Sequence, residues 1–354
     1  VGRPLPSNLR VDGPFERGPN ARRFDSRRRA RAAIGGLVAT ALVIAFISGS
    51  VGRVAAQEGG VDVVKVRKNF YMIAGAGGNI GVQIGSDGVV LVNAGTAQAT
   101  DQVLAALKKL TDLPIRYIIN TDADADFVGG NEKLAKAGYT IFTNALGNAG
   151  FAGAMTSGGA AAILAHDSVL GRMTKDGYSG AASPTEAFFT ARKAMRMNDE
   201  GIEVFYQPAA HSDADSFVLF RGSDVVVAGD VIDMTHLPVI DLAHGGSIQG
   251  EIDALNRLIE LTIAPTPFIY KDVGTYVVPG HGRVAEQMEV VDYRDMVVIV
   301  HDIIAELIKQ GKTLDQVKAA RPALAFETRY GAKTGSWTTD AFVEAVYKSL
   351  KGAK

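Results

Sequence analysis

The chain has 354 residues, with 37 Lys and Arg against 38 Asp and Glu, six His, no Cys and 47% hydrophobic residues. That length allows one large domain or two ordinary ones, with a sizeable core in either case. The lack of cysteine excludes disulfides, thiolate zinc sites and cysteine nucleophiles, and a net charge of −1 argues against nucleic acid as a partner.

That small net charge hides a split. Residues 1–31 carry nine arginines against Asp12, Glu16 and Asp25, a charge of +6 that leaves −7 for the remaining chain. With Pro4, Pro6, Pro14 and Pro19 and few large apolar residues, this head has no means of packing a core. Residues 32–52, AAIGGLVATALVIAFISGSVG, then carry no charge at all. As a helix they span roughly 32 Å, enough to cross a bilayer's hydrocarbon. The sequence therefore predicts one N-terminal transmembrane helix, with the arginines cytoplasmic and everything after Arg53 exported. A cleaved signal peptide competes with this reading, since Val54-Ala55-Ala56 before Gln57 has the form of a cleavage site. Ser26-Arg27-Arg28-Arg29 also hints at a twin-arginine signal, although Ala30 and Arg31 stand where an apolar residue usually follows. The apolar length and the long head favour the uncleaved anchor. Both readings put the globular part outside the cytoplasm, behind a linker at 53–60.

From Val61 the pattern is that of an α/β protein. VDVVKVRK, NFYMI, NIGVQI and GVVLVN read as short strands separated by turn residues. Thr100 is expected to cap a helix that carries Val103, Leu104, Leu107 and Leu110 at helical spacing. Ile115 to Asn120 reads as a buried strand running into an acidic loop, followed by a helix over Gly130 to Ala137. GIEVFYQP, SFVLF and DVVVAG form a second strand series that ends at Gly229-Asp230. Ser247 opens a helix with Ile248, Ile252, Leu255, Leu258 and Ile259 on one face. Tyr276 to Pro279 is a strand ending at Gly280-His281-Gly282, and from about Glu286 the chain reads as amphipathic helix to its end, broken near Arg321-Pro322.

Strand ends followed by polar loops are where α/β folds place their chemistry. Here those loops are Asn120-Thr121-Asp122-Ala123-Asp124-Ala125-Asp126-Phe127-Val128-Gly129-Gly130-Asn131, Ala210-His211-Ser212-Asp213, Gly229-Asp230 and Pro279-Gly280-His281-Gly282. Together they resemble the metallo-β-lactamase-fold hydrolases, which carry a His-x-His-x-Asp-His loop, then a lone His, an Asp after Gly, and a His in a Gly-His-Gly turn. The resemblance runs from about Val63 to His281. It implies a metallo-β-lactamase αββα four-layer sandwich over 61–285, with a helical extension at 286–354.

Position by position, the resemblance implies metal ligands at Asp122, Asp124, Asp126, His211, Asp230 and His281. The first loop His of the family becomes Asp122, the second Asp124, and the last Phe127; Asp126 is kept. Phe127 puts an apolar ring where the second metal needs a nitrogen. Asn93 replaces the Asp of the family's Val-Asp-x-Gly strand end, keeping its shape and losing its charge. Catalytic zinc prefers His-rich sets, and hydrolysis needs a metal-bound water, so a dinuclear zinc centre is not expected. Two carboxylates 4 Å apart repel by ~4 kcal/mol at an effective dielectric of 20, so convergent aspartates protonate, splay apart or recruit a cation. An oxygen-rich set suits a single hard divalent cation such as Mg²⁺, Ca²⁺ or Mn²⁺.

The remaining candidates have weaker patterns. The Asp-Ala-Asp-Ala-Asp run opens like an EF-hand loop, but Phe127 sits where the turn needs Gly and Lys133 where the closing Glu belongs. His236 and His244 read as structural or pocket-lining, while His166 and His301 fall on expected helices. Gly75 to Gly78 and Gly158-Gly159 lack the context of a nucleotide loop, and neither Ser183 nor Ser247 has a nucleophile's partners. The preferred reading is a membrane-anchored pseudoenzyme without catalytic residues, a structural or binding subunit of a larger envelope or bioenergetic complex (respiratory, photosynthetic or transport). It would sit in the cell inner membrane with its globular domain periplasmic, against integral membrane proteins. A hydrolase with one metal on Asp122, Asp124 and His211, and Asp126 or Asp230 as base, is the first alternative. A secreted periplasmic binding protein is the second.

Overall fold

In the computed structural model of the protein, residues 60–140, 159–266 and 273–352 are described. The expected arginine-rich head, the 32–52 segment and the linker up to residue 59 lie outside them. No helix among the described residues is long and apolar enough to cross a membrane.

The chain opens with an antiparallel meander: β1 (Asp62–Lys65), β2 (Phe70–Ala76), β3 (Gly78–Gly85) and β4 (Gly88–Val92). Helix α1 (Thr100–Leu110) then crosses over to β5 (Ile115–Ile119), parallel to β4. After α2 (Ala125–Val128) and α3 (Asn131–Ala137), β6 (Ala162–His166), α4 (Asp167–Lys175) and β7 (Glu186–Phe188) extend the sheet in parallel. A second sheet pairs β8 (Arg192–Met197), β9 (Glu200–Gln207), β10 (Asp215–Phe220) and β11 (Val225–Asp233) antiparallel. Helix α5 (Ile248–Leu261) leads to β12 (Tyr276–His281), parallel to β11, and β13 (Ala285–Glu286) closes that edge. Helices α6 (Gln287–Lys309), α7 (Leu314–Ala319), α8 (Glu327–Tyr330) and α9 (Thr339–Gly352) follow.

The layers follow from the two-residue period of the strands. Met72, Val90 and Val92 of the first sheet meet Val204, Val218 and Val227 of the second between the sheets. Ile73, Val89 and Leu91 point the other way, onto Val103 and Leu107 of α1 and Leu134 of α3. Phe205, Phe217 and Val226 face outward from the second sheet onto Leu255 and Leu258 of α5, Tyr293 and Val297 of α6, and Phe342 and Val346 of α9. Helices thus cover the outer face of each sheet, the expected four layers, and the helices after Glu286 share one core with α5.

Local details differ from the sequence reading at Thr100 and at His166. Thr100 is the first residue of α1, with Ala99 at the cap position; its hydroxyl bonds back to Ala97 O at 2.9 Å. His166 is not helical: it ends β6 and caps α4, its Nδ1 accepting the Ser168 N–H while its ring stacks on Tyr206 at 3.6 Å. Ser247 does cap α5, its hydroxyl accepting the Gly250 N–H at 2.9 Å, a bond of the kind worth ~1 kcal/mol.

Candidate metal centre

The site lies at the ends of β5 and β12, at the irregular stretch of β11 around Asp230, and where the β9–β10 loop returns. Asn93, at φ 70°, turns its side chain under the acidic loop, and its Oδ1 accepts both the N–H and the hydroxyl of Thr121 at 2.9 and 3.0 Å. Asn120 and Asn131 exchange side-chain hydrogen bonds of 3.0 and 2.8 Å across the same loop. These fixed amides set the direction of everything from Asp122 to Phe127.

Asp122 is fully buried. Its Oδ1 accepts the Asp124 N–H at 2.8 Å, and its Oδ2 lies 3.2 Å from the Thr121 hydroxyl oxygen. Burial first, and then Asp230, Asp124 and Asp215, push its carboxyl well above the usual range, against a smaller pull from His211. It braces the loop through these contacts. Asp124 points its Oδ1 at Arg172 Nη2, 2.7 Å away, and its Oδ2 at His211 Nε2, 3.7 Å away. Behind His211, Nδ1 stands 3.4 Å from Asp215 Oδ1, and Asp215 Oδ2 accepts the Ser212 N–H at 2.6 Å. Burial works against a charge on His211, but Asp215, Asp230 and Asp124 outweigh it and hold the imidazole well above its ordinary range.

The second half of the site centres on His281. Its Nε2 is 3.2 Å from Asp126 Oδ2 and 3.3 Å from Asp230 Oδ1. Burial opposes its charge, yet these two carboxylates lift its pKa to about 11, so it stands as an imidazolium. Asp230 itself is raised by burial, partly offset by His281 and His211. Gly280 allows this approach, because a Cβ there would lie 2.3 Å from Asp230 Oδ1. Phe127 is fully buried, edge-on to His281 with ring centroids 5.8 Å apart. It lies against Gly78, where an added Cβ would fall 2.4 Å from the ring.

The sequence-predicted residues therefore form three groups. Asp124, His211 and Asp230 bring ligand atoms within 4.8 Å of one another. Asp126 and His281 pair with each other beside Asp230, and Asp122 is turned into the loop's own hydrogen bonds. A dinuclear zinc set does not fit, because Phe127 fills the position of a missing imidazole and Arg172 holds Asp124. One cation has three donors, in competition with that arginine.

Three residues escaped the sequence reading. Asp215 follows His211 by four positions at the start of a strand, a spacing that could have marked it. Glu251 follows Ile248 by three and so sits on the buried stripe of α5; it is fully buried and neither oxygen has a hydrogen-bond partner. Arg172 carried no signal, since an arginine on an amphipathic helix reads as solvated surface.

Comparison with known proteins agrees with this architecture. The profile of the metallo-beta-lactamase superfamily matches residues 74–281, more than half of the sequence, and the chain belongs to that superfamily. Among solved structures it is similar to the stereoselective inverting sec-alkylsulfatase Pisa1 from Pseudomonas sp., with 14% identity and a TM-score of 0.61 over 84% of this chain and 51% of that one. It thus spans about half the length of that enzyme. The DIM-1 metallo-beta-lactamase matches with 13% identity and a TM-score of 0.50 over 68% of this chain and 97% of its own. At these identities the likeness is one of fold. The search of curated proteins returned no match.

Proposed function

We propose that this protein is a non-hydrolytic member of the superfamily, attached to a membrane through residues 32–52, whose domain serves as a structural or binding subunit on the extracytoplasmic side of a membrane complex. The observation that carries the proposal is Phe127. It is fully buried against Gly78, with its ring edge on His281, so the place of a second-metal ligand is part of the packed core. Two-metal hydrolysis uses a water shared between the ions, and this donor set has no second ion position to share it with. The +6 head and the uncharged 32–52 run support the membrane attachment, and integral membrane proteins are the partner class that such an anchor would meet. Purification of the full chain from native membranes in mild detergent tests the proposal. Co-purification with integral membrane proteins, and no esterase, lactamase or thioesterase activity with added Zn²⁺ or Mn²⁺, is the expected result. A monodisperse lone monomer, or metal-dependent turnover, would count against it.

A mononuclear hydrolase is the second reading, favoured by the convergence of Asp124, His211 and Asp230 within 4.8 Å. In it, Asp126 or Asp230 takes a proton from water. Any activity found would have to fall on Asp126→Ala or Asp230→Asn; activity indifferent to both removes this mechanism.

A further inference from the structure

We infer that Arg172 is a built-in substitute for a metal ion: its guanidinium occupies Asp124 and keeps a latent divalent-cation site, made of Asp124, His211 and Asp230, closed. The inference rests on the non-hydrolytic reading above and gives a reason why this half of the site would not take an ion.

The geometry begins with α4. Val169, Arg172 and Met173 lie on the buried face of that helix, and from it Arg172 reaches Asp124, 48 residues earlier in the chain. Its side chain is only 9% exposed, too deep for an ordinary surface bridge. The contact is also specific. Nη2 meets Asp124 Oδ1 at 2.7 Å, whereas Nε and Nη1 are buried and without a hydrogen-bond partner. A guanidinium has five N–H donors and no acceptor, so leaving donors unmet is costly, and the one bond made has to offset that cost. What that bond supplies is positive charge at a cluster of carboxylates that cannot all ionise unaided.

The rest of the latent site is already assembled. Asp124 Oδ2 faces His211 Nε2 at 3.7 Å, and Asp230 completes a triad whose ligand atoms lie within 4.8 Å of one another. Imidazole nitrogens and carboxylate oxygens bind divalent ions at ~2.0–2.2 Å, so ligands of one ion lie at most ~4.4 Å apart, close to the spacing of this triad. An ion entering there would share Asp124 with a guanidinium, and two cations on one carboxylate repel. A cleft of about 490 Å³ lined by Asp124, Arg172, Asp176 and Tyr178 opens beside the pair. It offers both a path for an ion and room for a shortened side chain.

The test compares Mn²⁺ binding, read by electron paramagnetic resonance, in the full chain and in Arg172→Gln, Arg172→Lys and the double variant Arg172→Gln with Asp124→Asn. Circular dichroism checks folding. The inference expects weak or no binding by the wild type and by Arg172→Lys, which keeps a cation in place. Arg172→Gln should bind at least tenfold more tightly, and the double variant should lose that gain. Equal affinity in wild type and Arg172→Gln, or a gain indifferent to Asp124→Asn, overturns it. Should Arg172→Gln fail to fold without metal, the wild-type melting temperature decides. No rise with millimolar Mn²⁺ supports a closed site, and a rise overturns it. Tight Mn²⁺ binding by a catalytically silent wild type sinks this inference alone, whereas metal-dependent hydrolysis by the wild type sinks the non-hydrolytic reading itself.

Discussion

Phe127 meets His281 edge to face, the two rings 5.8 Å apart at 66°, with the imidazole held between Asp126 and Asp230. A residue expected to be a ligand is thus bounded by an apolar ring on one side and two carboxylates on the other, and a proton does the work of an ion. Phe127 is fully buried, so its removal leaves a cavity. Phe127→Ala should cost about 3–5 kcal/mol, measured by urea unfolding. A cost below ~1 kcal/mol would show that the ring is not part of the core.

Gly78 and Phe127 should behave as a coupled pair. A Cβ at residue 78 would lie 2.4 Å from the Phe127 ring, closer than atoms approach without displacement. Gly78→Ala alone should therefore cost about 1–3 kcal/mol from overpacking. In the background of Phe127→Leu much of that cost should vanish, a coupling a double-mutant cycle reads directly. Additive costs would mean the two residues do not constrain each other.

Glu251 gives the fold a pH dependence of its own. Burial, followed by Asp215, holds its carboxyl well above the ordinary value of 4.5, against a pull from His211. A group whose folded pKa is raised contributes its stability below the unfolded value and loses it as pH climbs toward the folded one. Glu251→Gln has no such loss. Relative to wild type it should gain about 1.4 kcal/mol for each pH unit above 4.5, until the folded value is passed. Parallel stability curves for the two proteins from pH 5 to 8 would contradict the burial of an unpaired carboxyl.

Glu344 of α9 shows the opposite sign. Lys318 at 2.5 Å and Lys348 at 2.6 Å draw its carboxyl from 4.5 down to about 2. Its contribution is therefore present above pH 4.5 and lost as pH falls toward 2. Because the side chain is a third exposed, that contribution is at most ~1 kcal/mol. Glu344→Gln should lower stability by that amount at pH 7 and by nothing near pH 2. A constant difference across that range would exclude the ion pair as its source.

Much of this was legible because local chemistry repeats the global plan. The short apolar runs of β2 to β5 between turn residues, the Ser247 cap and the Gly280-His281-Gly282 turn each point to the element the structure contains. Phe127 was readable as the loss of a ligand from its place in the acidic loop. Arg172 was not, since its meaning depends on the packing of α4 against a loop 48 residues away. What the acidic loop did not disclose was how its aspartates divide: Asp122 turns Oδ1 to the loop's own backbone and Asp126 pairs with His281. The strands β6, β7 and β8 went unassigned: β7 has three residues, β8 is largely exposed, and the apolar run of β6 cannot be told from helix by periodicity alone.

Zinc stoichiometry tests the central claim most directly. The full chain would be expressed in zinc-supplemented medium, desalted, and its metal content read by inductively coupled plasma mass spectrometry. With Phe127 in the second position and Arg172 on Asp124, the content should be well below one zinc per chain. Two zinc ions per chain, lost on Asp230→Asn, would contradict the account.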